Sequence, residues 1–275
     1  MSKTIVRHPN AKINLGLNIV RRRSDGYHDI ETVFYPIPLT DTLTIEDADA
    51  FSFTQTGTPL DCRSEDNLVV RAIKALAADD ELPRLRVTLE KHIPSGAGLG
   101  GGSSDAAAAM CAVANHMNLP LTPTDIEQKL ATLGADCPFF VRNRPVFATG
   151  TGNVFTPIEL SLSGWKLVLV KPDIHVATRE AYAMVKPARP ATSLTEIIRR
   201  PVAEWQNLMA NDFEPSVFMR HPEIGEIKQS LLQLGATYTS MSGSGSAVFA
   251  LFENDTPLPD LNGLFPEAFT WQAEL

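Results

Sequence analysis

From residue 12 to 17 the chain alternates strictly, with Ile13, Leu15 and Leu17 set between Lys12, Asn14 and Gly16. A period of two predicts a strand with one buried face. Beyond the polar turn Arg22-Arg23-Ser24-Asp25-Gly26, β-branched and aromatic residues from 30 to 39 predict a second strand, and Leu43, Ile45, Phe51 and Phe53 continue the β pattern. The period changes after Asp66, which reads as a helix cap: Leu68, Val69, Ala72, Ile73 and Leu76 form one apolar stripe at helical spacing. Alternation returns at Leu85, Val87 and Leu89, in a strand that runs into Pro94. An alanine-rich helix is predicted from about 103 to 117, and another from Pro123 to near Gly134. In the second half, the continuous apolar run 165–170 predicts a buried strand. Helices follow around 193–208 and 223–234, then a strand at 247–252. Strands cluster ahead of helices instead of alternating with them, so the expected class is α+β. Glycine and proline thicken around Gly150-Thr151-Gly152 and Pro157, dividing 1–155 from 156–275. No period of twenty to fifty residues repeats.

Composition narrows the field. A chain of 275 residues with 44% hydrophobic and 20% charged residues is ordinary for a globular enzyme, which excludes disorder, collagen and coiled coil. A net charge of −8 without a basic stripe argues against a nucleic-acid partner. The run Arg21-Arg22-Arg23 reads as a solvated turn. Cys62, Cys111 and Cys137 are odd in number and lack metal spacing, so neither a disulfide framework nor a zinc site is expected. No window of eighteen uncharged apolar residues and no secretory leader pattern is present, so the expectation is a cytoplasmic protein with no membrane partner. The sequence is silent on oligomeric state.

The most informative stretch is Pro94-Ser95-Gly96-Ala97-Gly98-Leu99-Gly100-Gly101-Gly102-Ser103-Ser104-Asp105. It holds five glycines in the seven positions 96–102. Glycine inside regular structure costs about 1 kcal/mol relative to alanine, so such density points to a backbone that must approach a ligand closely. The loop opens onto a helix N-terminus, whose unpaired N–H groups and positive dipole end suit phosphate. Gly96, Gly98 and Gly101 satisfy G-x-G-x-x-G, but the dinucleotide reading needs a strand after the helix, and a second helix follows here. No Lys-Ser or Lys-Thr pair follows the glycines, so the loop is not a P-loop, and no H-R-D or D-F-G element marks a protein kinase.

Written P-S-G-A-G-L-G-G-G-S-S-D-A, the loop resembles the central signature of the galactokinase, homoserine kinase, mevalonate kinase and phosphomevalonate kinase (GHMP) superfamily. The segments 11–17 and 241–247 resemble its first and last motifs. Lys12-Ile13-Asn14-Leu15, Asp25-Gly26-Tyr27-His28 with Thr32-Val33-Phe34, and residues 133–140 (LGADCPFF) are most similar to the branch acting on a cytidine-diphosphate-linked methylerythritol alcohol in non-mevalonate isoprenoid synthesis. The resemblance runs from about residue 8 to 253. It implies a two-domain GHMP-kinase-like fold, an N-terminal ATP-binding domain and a smaller C-terminal domain, with the active site in the interdomain cleft. It also implies ATP, used with Mg²⁺, as phosphate donor.

Under that resemblance Asp136 is the general base and Lys12 its electrostatic partner, stabilising charge on the transferring phosphate. Asn14, two residues along the strand and on the same face as Lys12, is a candidate for the substrate hydroxyls. Tyr27 and His28 are candidate cytosine readers, and Tyr182 a candidate second wall. Asn67 and Lys91 are candidates on the purine side, with a helix cap and a solvated lysine as the plain alternatives. Pro94, Gly96, Gly98, Gly100, Gly101, Gly102, Ser103 and Ser104 carry the phosphates, and Ser242-Gly243-Ser244-Gly245 forms a turn beside them. Magnesium would be held mainly by phosphates and water. Another GHMP kinase, of homoserine or mevalonate type, is the competing assignment. A nucleotide-binding module without catalysis is the competitor from another class.

Overall fold

A computed structural model describes residues 4–59, 63–77 and 81–275; Cys62 lies outside them. The chain forms two compact units, each built from three stretches. One comprises Met1–Ala11, Leu39–Ser95 and Gly100–Arg144; the other comprises Lys12–Pro38, Gly96–Leu99 and Pro145–Leu275. The glycine- and proline-rich stretch around 150–160 lies within the second.

In the first unit, strands β1 (Thr4–Arg7), β4 (Thr42–Asp47), β5 (Ser52–Gly57) and β6 (Leu85–Lys91) form a sheet in the order β1-β4-β6-β5. β4 pairs antiparallel with β1 and β6, whereas β5 runs parallel to β6. The register sets Leu43 opposite Leu89 and Ile45 opposite Val87, so the alternating apolar residues share one face. That face packs against helices α1 (Leu68–Lys74) and α2 (Gly101–His116), through Val69, Ile73, Ala109, Ala112 and Val113. The alanines of α2 leave no bulk between helix and sheet, which brings its N-terminus up to the end of β6. Helices α3 (Pro123–Ala131) and α4 (Phe139–Arg142) complete this unit. The start of α3 is fixed by a capping box between Thr122 and Asp125. The cap of α1 is Asn67, not the expected Asp66, which closes a short 3₁₀ turn ahead of it.

The second unit holds two sheets. One is ordered β2 (Asn10–Arg22), β3 (His28–Thr40), β7 (Val146–Thr149) and β8 (Val154–Pro157). The other is ordered β10 (Tyr238–Met241), β11 (Val248–Glu253), β9 (Trp165–Pro172) and β12 (Ala268–Glu274), antiparallel throughout. Residues 167–170 of β9 are fully buried, as their unbroken apolar run predicts. Val168 and Val170 join Phe213, Val217, Ile224, Ile227 and Leu231 in one core. The helix expected over 193–208 is two helices, α6 (Leu194–Ile197) and α7 (Val202–Leu208), because Pro201 cannot continue the first. The others here are α5 (Thr178–Ala181), α8 (Glu214–Arg220), α9 (Pro222–Gln233) and α10 (Leu261–Leu264). Among the described residues no helix is long and apolar enough to cross a membrane.

Leu89 is fully buried in the first core. Leu89→Ala is expected to lower unfolding free energy by about 2–5 kcal/mol in urea titrations. A loss below about 1 kcal/mol would mean that this sheet face does not carry the packing assigned to it.

Candidate active site

The glycine loop is pinned from two sides in the second unit. Lys12 N donates to Leu99 O at 2.9 Å, joining the loop to β2, and Ala247 N donates to Ala97 O at 3.2 Å, joining it to the turn after β10. At the point of closest approach, a Cβ added to Gly98 would lie 1.9 Å from Ser242 O, and Gly98 has φ +76°. Both facts exclude any side chain there. The Gly98 carbonyl accepts from Lys12 Nζ at 3.0 Å and from Ser242 Oγ at 2.9 Å. Ser242 Oγ also accepts from Asn14 N at 3.2 Å. The segments carrying the first, central and last glycine motifs thus meet at one carbonyl.

Lys12 is only 3% exposed, and an ammonium in such a place needs partners. Besides Gly98 O it donates to Asn14 Oδ1 at 2.6 Å and lies 4.7 Å from the centroid of the Phe34 ring. Asn14, also buried, donates from Nδ2 to Thr32 Oγ1 at 3.0 Å. The alternation in β2 therefore does not separate core from solvent: its polar face, at Lys12 and Asn14, is buried as well.

Two residues without any local sequence signal hold the turn that carries Ser242. Buried Asn211 donates from Nδ2 to Met241 O (2.7 Å) and Gly243 O (2.8 Å). Buried Glu214 accepts from Met241 N (2.9 Å), Ser240 Oγ (3.1 Å) and Lys228 Nζ (2.6 Å).

In the first unit Gly100, with φ +71°, is the N-cap of α2, and Ser104 N donates to its carbonyl. Gly101 and Ser104 are buried, Ser103 half-buried and Gly102 exposed, so the first turn of α2 presents N–H groups that have no intrahelical acceptor. Pro94 is buried just ahead of the loop. Lys91 is not the solvated lysine of the plain alternative. It is 2% exposed and ion-paired with Asp41 and with Asp105, the latter at 2.8 Å. Asp41 also accepts from His92 N and Ile93 N at 2.6 and 2.8 Å. A Cβ on Gly101 would stand 3.2 Å from Lys91 Nζ, so the lysine lies against the first residue of α2 while its pair with Asp105 ties it to the helix. Asn67 Oδ1 accepts from Val69 N at 2.9 Å, which makes it the cap of α1, and Nδ2 reaches Gln55. Asp136 is half-buried in the turn between α3 and α4, ahead of buried Cys137 and Phe139.

Tyr27 is 67% exposed at the head of β3. Its turn is closed by Arg23 N donating to Tyr27 O, and the Arg21 and Arg23 side chains pair with Asp25 and Asp29. The His28 ring stacks on Tyr182 with centroids 4.6 Å apart, and Tyr182 meets Phe213 edge-on at 4.7 Å. Burial, with nearby Arg22, holds the His28 imidazole below its usual pKa. Tyr182 thus stands directly against the His28 ring. Among the described residues no group of three or more His, Cys, Asp or Glu side chains could hold a metal ion.

Comparison with known proteins decides the family. Residues 67–144 match the model for the GHMP kinases N terminal domain and residues 193–261 that for the GHMP kinases C terminal. A 4-diphosphocytidyl-2-C-methyl-D-erythritol kinase of Parabacteroides distasonis is 56% identical, over 97% of this chain and 98% of the relative. One from Bacteroides fragilis is 51% identical over 98% and 100%. The chain belongs to the 4-diphosphocytidyl-2-C-methyl-D-erythritol kinase family of GHMP kinases. A crystal structure of a 4-(cytidine 5'-diphospho)-2C-methyl-D-erythritol kinase, 32% identical, superposes with a TM-score of 0.79 and covers 98% of each chain. This GHMP kinase thus combines the α+β fold of its superfamily with the motifs of one branch.

Its buried Lys91 cluster has a pH signature. Burial pushes Asp105 from the ordinary 3.8 up to about 7, with Lys91 opposing the shift, and its Oδ1 has no hydrogen-bond partner. For an acid raised in the fold, the stability it contributes is complete below 3.8 and is lost as pH rises through about 7. Thermal midpoints of Asp105→Asn are therefore expected to shift in the variant's favour, relative to wild type, as pH rises from 3.8 to 7, and to run parallel above. A difference that does not change with pH would contradict this.

Proposed function

We propose that this kinase transfers the γ-phosphoryl group of ATP to the 2-hydroxyl of 4-diphosphocytidyl-2-C-methyl-D-erythritol, releasing ADP and the 2-phosphate for isoprenoid precursor synthesis. The observation that carries the reading is the identity of 51–56% with kinases of that name over almost the whole chain. The buried Lys12, anchored on the glycine loop, supports the phosphoryl-transfer half of it.

In this reading Asp136 orients the 2-hydroxyl and accepts its proton as the oxygen attacks the γ-phosphorus. The ammonium of Lys12 stabilises negative charge on the transferring oxygens, where its poor hydration strengthens the field. The first-turn N–H groups of α2, at Gly101, Gly102 and Ser103, receive phosphate oxygens, with Ser104, Gly96, Gly98 and Gly100 shaping the cradle. Asn67 and Lys91 support the nucleotide side by fixing the starts of α1 and α2. Magnesium supplies charge neutralisation to ATP. Among the described residues no cluster of three or more His, Cys, Asp or Glu side chains offers a cage, so phosphate oxygens and water would be its main ligands. The exposed Tyr27 ring offers a stacking face for cytosine. A neutral His28, held in plane by Tyr182, can donate to and accept from the pyrimidine edge. The family matches fall on either side of residue 155, which supports 1–155 and 156–275 as the two GHMP kinase domains.

Asp136→Asn is expected to lose about 10²–10⁴-fold in turnover, while ATP still raises its thermal midpoint. Full turnover would remove Asp136 from the role of base. In the same ADP-release assay, Tyr27→Ala should raise KM for the cytidine-linked substrate and leave KM for ATP nearly unchanged.

A further inference from the structure

The orientation of the Asn14 amide is dictated by a residue one strand away. Thr32 is fully buried on β3, and its Oγ1 lies 2.6 Å from Gly16 O and 3.0 Å from Asn14 Nδ2. A hydroxyl has a single proton, and a carbonyl can only accept, so the Thr32 proton goes to Gly16 O. Only a lone pair is then left to face Asn14. The amide must turn its NH₂ toward Thr32, which leaves Oδ1 toward Lys12 Nζ, at 2.6 Å. With the amide reversed, two donors would confront each other across that gap. Phe34 follows on the same face of β3 and puts its ring against the same ammonium. Lys12-x-Asn14-x-Gly16 on β2 and Thr32-x-Phe34 on β3 are thus two halves of one constellation.

We propose that Thr32 is a positioning residue for phosphoryl transfer: it locks the Asn14 amide so that Oδ1 holds the Lys12 ammonium in place. The proposal rests on the reading of Lys12 as the group that stabilises the transferring phosphate. Thr32 touches neither substrate in this role, and its influence passes wholly through Asn14 and Lys12.

Valine matches threonine in shape but has neither donor nor acceptor, so Thr32→Val removes the acceptor that holds Asn14 Nδ2 and leaves the amide free to swing about its Oδ1 end while keeping the packing. Misplacement of a reacting group by about 1 Å can cost on the order of 10²-fold in rate. Thr32→Val is expected to lower kcat by about tenfold or more, on that scale, with KM for ATP and for the cytidine-linked substrate nearly unchanged. Thr32→Ser, which restores the hydroxyl, is expected to recover most of the turnover. In a Lys12→Met background the Thr32→Val change should have almost no further effect, because residues that act as a unit are not additive. Where that residual turnover is too low to measure, the KM-against-kcat split and the serine rescue decide. If Thr32→Val does not yield folded protein, Thr32→Cys, of similar size with only a weak donor, takes its place with the same expected split. Wild-type kcat in folded Thr32→Val, an equal loss in the Lys12→Met background, or failure of serine to rescue would overturn the proposal. Wild-type turnover in Lys12→Met itself would instead overturn the reading of Lys12, so the two failures are distinguishable.

Discussion

One backbone carbonyl, that of Gly98, is the point on which the site depends. It accepts the Lys12 ammonium and the Ser242 hydroxyl together, and the Ser242 carbonyl presses so close to Gly98 that no Cβ fits between them. Three segments far apart in sequence are brought to this junction. β2 arrives through Lys12 and Asn14, the glycine loop through its own backbone, and the last glycine turn through Ser242, which Asn211 and Glu214 hold in place. Gly98 is thus required by the protein that packs behind it, and the proposed approach of a phosphate asks for the same bare backbone.

Burying charge is costly unless each ion is closely partnered. Lys12 and Lys91 are nearly inaccessible, and each meets this demand differently. The partners of Lys12 include an amide oxygen, a backbone carbonyl and a ring face. Lys91 sits between the carboxylates of Asp41 and Asp105, which absorb its charge and turn it into a tether for the start of α2. The same side-chain type is thus a tether in one unit, while in the other its proposed role is to stabilise the transferring phosphate.

Much of this was legible in the sequence. Period-two alternation placed β2 and β6, β-branched and aromatic content placed β3, Leu43 and Ile45 marked β4, and the alanine run placed α2, because the packing faces of those segments are regular. Short strands such as β7 and β10 had too few residues for a period to show, and β12 is a half-exposed strand whose pairing with β9 lies in distant residues. The glycine loop announced itself through composition. What stayed hidden was everything defined by long-range partners: the two acids around Lys91, the grip of Asn211 and Glu214 on the last glycine turn, and Thr32 behind Asn14. Its place on a strand face did not announce that the Asn14 amide has protein partners at both ends, Lys12 at Oδ1 and Thr32 at Nδ2.

The most direct test of the Gly98 junction is the turnover of Gly98→Ala at saturating ATP and substrate, on protein whose cooperative melt shows it to be folded. A methyl group there must push the loop away from Ser242 and drag its carbonyl from Lys12. Turnover is expected to fall by on the order of 10²-fold or more. Turnover equal to wild type would contradict the claim that this contact sets the geometry of transfer.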